Sequence, residues 1–346
     1  MTKLWPIFIF SILMAFLAEK NSIYRYSTTG EKQYICKDKL FYYVMTITMG
    51  VFVGLRLWCN DTDVYRETYE LLISATKPVF ENMDWAIGDN PGFVLSNRIL
   101  KHMGVSTQNF LMIFALITNV VYLWFLRKYT SNIFLTVFLF YTMGCYTFTM
   151  AAIKQTVAVA FCLLGVDRAI QKKWKWFIFW VLLASTFHPY ALMYLIVPLL
   201  FFSPWSQKTG WMLSIFAVVG IGLQTMLGTI ISITSMLGEE YDKDSFVGDG
   251  VNIFRLAVTW APVILSFLAR KQMRKNKDRA SNMFMNLTML NASVMFVALF
   301  GTANYFARLA NYFLIFQTLA IPWMLSFFTS TSKKMLKILL IICYLL

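Results

Sequence analysis

The stretch Ile133-Phe-Leu-Thr-Val-Phe-Leu-Phe-Tyr-Thr-Met-Gly-Cys-Tyr-Thr-Phe148 contains no charged residue. The longer run from Trp211 to Leu237 contains none either. Neither alternates polar with apolar residues, as a strand facing water on one side would. Continuous apolar runs of this length fit lipid-embedded helices. A spanning segment must satisfy its own backbone hydrogen bonds, and only helices and closed barrels do so. The short alternating strands of a barrel are absent from both runs. Working outward, similar apolar runs recur at about 4–18, 40–55, 109–126, 155–169, 176–188, 190–202, 253–269, 283–300, 309–327 and 336–346.

The sequence therefore predicts an all-α, polytopic transmembrane helical bundle of about ten to twelve crossings, forming one integral membrane domain over residues 1–346. Composition agrees. The 346 residues are 58% hydrophobic and 14% charged, with a mean hydropathy of +0.60. A soluble domain carries about 25% charge. The first run, Leu4 to Ala18, is followed directly by Glu19 and Lys20 with no small-residue cleavage site, and is expected to be a retained span. The two short runs around His188-Pro189 are either two tight spans or partly re-entrant. The five cysteines have no paired or metal-ligand spacing, which suits small buried hydrophobes.

The formal net charge of +14 reads as topology. With the N-terminus outside, the inner loops hold 21 of the 31 basic residues and only five of the 17 acids. The Arg270–Arg279 run is then a solvated inner loop. It has no aromatic interleaving, and no nucleic-acid partner is expected. Two outer segments follow. The larger, 57–108, contains a turn at Asp89-Asn90-Pro91-Gly92. Beyond it Phe93, Leu95, Ile99, Leu100 and Met103 recur at helical spacing, as in a helix lying on the membrane surface. The second, 238–252, is acidic.

A few polar groups at the outer ends of spans are not needed for topology: Arg56, Lys154, Gln155, His188, Arg255 and Arg308. Outer positive charge runs against the topogenic bias, and charge near the apolar zone is costly. Together they suggest an outward-facing anion site, with Arg forks suited to phosphate and His188 able to move a proton near neutral pH. Plainer roles stay open. Arg255 either joins the site or snorkels. His188 either titrates or caps the helix end before Pro189. Arg56 and Arg308 are alternatively interface anchors. Asp61 and Asp63, acid-x-acid on an outer loop, offer a divalent-metal site or a base, while Asp61 alternatively caps a loop or pairs with Arg56 or Arg66. Trp58, Tyr65, Tyr69 and Trp85 suit an interfacial belt or stacking on sugars, and His102 suits an interfacial position.

Five segments, in this order, resemble the EpsG-like branch of the Wzy family of bacterial exopolysaccharide and O-antigen polymerases. They are Gly54-Leu-Arg56 with Thr62-Asp63 and Tyr65; Asn90-Pro-Gly-Phe93; Ala152-Ile-Lys154-Gln155; Phe187-His188 with Ala191-Leu192; and Arg308 with Asn311-Tyr312-Phe313. The third departs from the family's usual Arg-Gln pair, and Lys154 keeps the charge without the bidentate fork.

The resemblance implies a glycosyltransferase in the bacterial cytoplasmic membrane, with its active site outward. Its substrate would be an undecaprenyl-diphosphate-linked oligosaccharide repeat unit, and its product an O-antigen, capsule or exopolysaccharide. Arg56, Lys154 and Arg308 would bind the diphosphate. His188 or Asp63 would be the base. Asp61, Tyr65, Gln155 and Arg255 would contact glycan. No cofactor and no metal are implied. Membrane lipid, a chain-length regulator and a flippase are the expected partners. The rival readings are a flippase or transporter of the same lipid-linked glycan, which would favour midplane charges and repeats, and a glycosyltransferase using a polyprenyl-monophosphate sugar.

Overall fold

The computed structural model of the chain describes residues 4–26, 32–57, 59–72, 79–236, 250–301 and 303–345. Its elements run α1 (Trp5–Asn21), β1 (Ile23–Tyr26), β2 (Lys32–Cys36), α2 (Leu40–Gly54), α3 (Thr62–Glu67), α4 (Pro91–His102), α5 (Thr107–Tyr129), α6 (Ile133–Thr142) and α7 (Cys145–Ala151). Then follow α8 (Ile153–Ile170), α9 (Trp174–Ser185), a 3-10 helix over Pro189–Leu200, α10 (Gln207–Ile221), α11 (Leu223–Met236), α12 (Ile253–Leu268), α13 (Arg270–Lys275), α14 (Arg279–Val297), α15 (Ala303–Met324) and α16 (Ser330–Leu345). The fold is an all-α helical membrane protein, with strand confined among the described residues to the β1–β2 pair.

Among the described residues, two helices are long and apolar enough to cross a bilayer, Thr107–Tyr129 and Tyr305–Phe327, or up to four if each bent helix pair is one span. Four further apolar helices have 10–17 residues. Long straight helices thus supply fewer crossings than the ten to twelve apolar runs suggested. The chain breaks its runs: Gly144, at φ 81°, separates α6 from α7, and the run after His188 is wound as a 3-10 helix. At about 2.0 Å rise per residue, a 3-10 helix covers more depth than an α-helix of equal length.

Contacts group the chain into two units: Met1–Tyr24, Tyr34–Tyr129 and Gly144–Leu195; and Arg25–Gln33, Thr130–Met143 and Ile196–Leu346. In the first unit α8 is the buried axis, with Val157 to Ala160, Cys162 and Val166 all enclosed, and α5 and α9 pack on it. An apolar helix with no polar face belongs in such a position. Helix α2 lies against α5 through Gly50 and Gly54. A Cβ at Gly54 would stand 2.8 Å from the Met112 Cα, and one at Gly50 2.9 Å from the Leu116 side chain. Small residues four apart allow this close approach, which is how membrane helices gain packing without a hydrophobic drive.

The end of this unit that the charge count assigns to the inside is clasped by polar groups. Lys37 Nζ donates to the carbonyls of Arg127 (2.5 Å) and Lys128 (3.0 Å) at the C-terminus of α5. Arg127 donates back to the carbonyls of Asp38 and Lys37. Lys128 pairs with Asp167 of α8, which also accepts from Tyr129 and Gln171. Cations on terminal carbonyls satisfy the orphan acceptors of a helix end and oppose its dipole. Burial, helped by the neighbouring Arg127 charge and opposed by Glu19, lowers the Lys37 pKa to about 7.

In the second unit α14 is the buried axis, enclosed from Asn282 to Met295 and packed by α15, α10 and α12. Its asparagines act as glue. Asn286 Nδ2 donates to the carbonyls of Leu200 and Phe202. Asn291 Nδ2 reaches the carbonyl of Ala310, and Asn291 Oδ1 accepts from Gln317 at 2.8 Å. Met273, Met285, Met289, Ala320 and Met324 fill part of the core around them.

Candidate functional site

Arg56 lies two residues past the end of α2 and is only 9% exposed. Its Nε donates to Thr62 Oγ1 at 3.1 Å and its Nη1 to the Val53 carbonyl at 2.8 Å. Thr62 is oriented by donating to the Cys59 carbonyl at 2.6 Å. Burial lowers the Arg56 pKa to about 10, so the group stays charged at neutral pH. Among the described residues Arg56 forms no ion pair with a carboxylate, and its Nη2 meets no acceptor. The pairing considered between Asp61 and Arg56 or Arg66 is not made, because α3 turns Thr62 toward the guanidinium. Asp61 instead accepts from Asn60 Nδ2 at 3.1 Å, and its side chain does not cap α3. Asp63 is exposed in the first turn of α3.

Tyr65, one turn into α3, sets its ring edge-on to Phe93, centroids 5.8 Å apart. Phe93 opens α4 and is 3% exposed. It packs on Phe110 (6.4 Å) and Phe114 (5.5 Å) of α5. The helix predicted after Pro91 is therefore present, but its first aromatic faces protein rather than lipid. Ile99 on the helix and Met103 just past its end are exposed. Lys154, in the first turn of α8, holds its Nζ 5.7 Å from the Phe93 ring centroid. A cation there opposes the helix dipole, so helix stability does not explain it. Gln155 beside it is buried.

The start of α4 also meets the turn before His188. The Gly92 N–H donates to the Thr186 carbonyl at 2.9 Å. A Cβ on Gly92 would stand 2.2 Å from Thr186 Oγ1 and 3.0 Å from the Phe187 ring. Half-buried His188 sits past the C-terminus of α9, where its backbone N–H closes the turn on the Ala184 carbonyl at 3.1 Å. Its ring lies 5.5 Å from that of Tyr190. The capping considered for this residue is thus done by its backbone. Asn90, in the left-handed conformation at φ 54°, donates to the Gly88 carbonyl, while its buried Oδ1 has no hydrogen-bond partner among the described residues.

Four of the five segments singled out in the sequence therefore interlock in the first unit, around Gly92 and Phe93. The fifth belongs to the second unit. Arg308 is exposed on α15, while Tyr312 and Phe313 are core. Arg255 is also in that unit, exposed in the first turn of α12. A cavity of about 330 Å³ in the second unit is lined by Leu213, Ser214, Phe216, Ala217, Trp260, Ser293 and Phe296, and neither arginine lines it. Tyr69 takes neither role considered for it: it is fully buried, stacks on Phe110 at 4.3 Å and donates to the Val105 carbonyl. Trp85, 59% exposed, remains at the surface, as does His102. Trp58 and the acidic stretch of the 238–252 segment lie outside the described residues. Among the described residues no three His, Cys, Asp or Glu side chains gather as a metal site would need.

The sequence marked Asn90-Pro-Gly-Phe93 as one segment among five but not as the joint that the others meet, because a turn followed by an apolar helix suits a surface helix equally well.

Apolar helices wrapped around a buried axis in each unit, with a buried guanidinium in the first that has no carboxylate partner among the described residues, define a helical membrane protein with a candidate anion site. A family model described as the EpsG family matches residues 39–346, and the chain belongs to that family. The membership marks it as a membrane protein of polysaccharide biosynthesis. No curated protein and no solved structure gives a significant match.

Proposed function

We propose that this protein is the polymerase that joins undecaprenyl-diphosphate-linked oligosaccharide repeat units on the outer face of the bacterial cytoplasmic membrane. The observation that carries the reading is Arg56, a buried guanidinium without a carboxylate partner among the described residues, in the unit where Tyr65, Phe93 and Lys154 meet. An uncompensated buried cation is costly unless a ligand supplies the negative charge.

In this reading a hydroxyl of one lipid-linked unit attacks the anomeric carbon of the glycan on another. The new C–O bond forms as the bond to the diphosphate breaks, and the electron pair leaves with undecaprenyl diphosphate. The hydroxyl proton passes to His188, with Asp63 as the alternative base. Arg56 and Lys154 stabilise the charge that grows on the leaving diphosphate. Arg308 keeps the anion-binding role that the family resemblance implies, and Arg255, Asp61, Tyr65 and Gln155 the glycan contacts. One direct displacement inverts the anomeric centre. A chain-length regulator and a flippase are the expected partners.

The test is deletion of the gene in its host, complemented with wild type, Arg56→Ala, His188→Ala and Arg308→Ala at matched membrane levels, with the surface glycan resolved on a gel. Single repeat units in place of a ladder support the polymerase. Repeat units trapped on the cytoplasmic side identify a flippase and sink the reading.

A further inference from the structure

Lysine presents a point charge on a flexible stem, whereas arginine presents a rigid fork. A lysine that must hold an anion in one geometry needs something to fix its ammonium, and an aromatic ring face can do this without neutralising the charge. Phe93 has that relation to Lys154, at 5.7 Å from Nζ to the ring centroid. The ring is itself immobilised. Phe110 and Phe114 pack on it from α5 and Tyr65 meets it from α3. Next to it, the Gly92 N–H is tied to the Thr186 carbonyl, two residues before His188.

We infer that Phe93 is a positioning residue of the site: its ring face holds the Lys154 ammonium in place for the anionic group of the substrate. The inference rests on the polymerase reading for what the lysine binds, but the contact is independent of it. A core phenylalanine would be needed only for its shape. A positioning phenylalanine is needed for the electron density on its face, and the two requirements separate experimentally.

The experiment has two arms, both on the full-length protein. In the first, lysines are reductively ¹³C-methylated in detergent, which preserves their charge, and the Lys154 signal is assigned by its loss in Lys154→Arg. An upfield ring-current shift that disappears in Phe93→Leu supports the contact, and an unshifted signal overturns it. In the second, phenylalanines carrying one, two or three fluorines are placed at position 93 in the complemented host. Fluorine drains the ring face at nearly constant shape. The expected result is a stepwise fall in polymerisation rate, about tenfold by the trifluoro variant, as loss of a partly desolvated cation–π contact would give. The same series in a Lys154→Met background is expected to be flat. A rate indifferent to fluorination overturns the inference, whether or not Phe93→Leu folds. A gene deletion that leaves the ladder intact would sink the polymerase reading and the role in polymerisation with it, while the methyl signal still decides the contact.

Discussion

At the scale of single residues, Arg56 and Lys154 ask for different replacements. Arg56 already spends Nε and Nη1 on Thr62 and Val53, so its geometry is fixed and its remaining donors point elsewhere. Arg56→Lys keeps charge but cannot hold both contacts and reach an anion, and is expected to lose about tenfold in polymerisation rate. Arg56→Met should lose about 10²–10³-fold, as removal of a charge-stabilising donor does. Rates measured in membranes at equal protein level decide this, and an Arg56→Met protein with wild-type rate would exclude Arg56 from the site. Lys154→Arg restores the family's usual pair and should stay within about threefold of wild type, whereas Lys154→Met should lose at least about tenfold. Both residues were legible in the sequence because outer positive charge opposes the topogenic bias. What was not legible was that Arg56 meets no carboxylate among the described residues. Asp61 and Asp63 flank Thr62, and only the orientation of α3 decides which side chain meets the guanidinium.

Among the elements, α4 and the inner clasp lead to separate tests. The start of α4 touches the turn before His188 at a distance that leaves no room for a side chain at Gly92. Gly92→Ala should cost about 1–3 kcal/mol through overpacking, visible as a lower thermal midpoint in detergent, together with reduced polymerisation. An unchanged midpoint would mean that the two segments are not in contact. The clasp at the other end concerns Lys37, whose pKa falls from 10.5 in a free lysine to about 7 here. Between those values the unfolded chain binds more protons than the folded one, so stability rises with pH from about 7 to about 10.5. Below pH 7 the cost of charging Lys37 in place is fully present. Thermal midpoints across that window should therefore climb, and Lys37→Met should remove this part of the slope; a slope that survives the substitution assigns it to another group. No local pattern of residues pointed to this clasp. It marked Lys37, Arg127 and Lys128 as topogenic charge, and their shared carbonyls lie about ninety residues apart along the chain.

For the whole molecule, the decisive prediction is orientation. In a cysteine-free background, exposed Asn82→Cys should react with an impermeant maleimide on whole cells, and exposed Lys277→Cys only after permeabilisation. The opposite pattern would put the site on the cytoplasmic side and end the outer-face reading. The sequence by itself determined the class: continuous apolar runs, low charge and a one-sided basic excess leave a helical membrane protein as the economical solution, because unpaired backbone in lipid is too expensive for anything else. Segment order also carried the family, since five short motifs survive as letters. The tertiary structure decided which apolar residues face protein. Phe93, Tyr69 and Phe313 carry the same apolar signal as residues that face lipid, and hydropathy does not record direction. It also decided the use of the buried amides: Asn286 and Asn291 look like interruptions of a span, yet they bind carbonyls of other segments within their unit. Burial and partner choice depend on which helices meet, and that is fixed by packing across large sequence separations, which no local pattern of residues encodes.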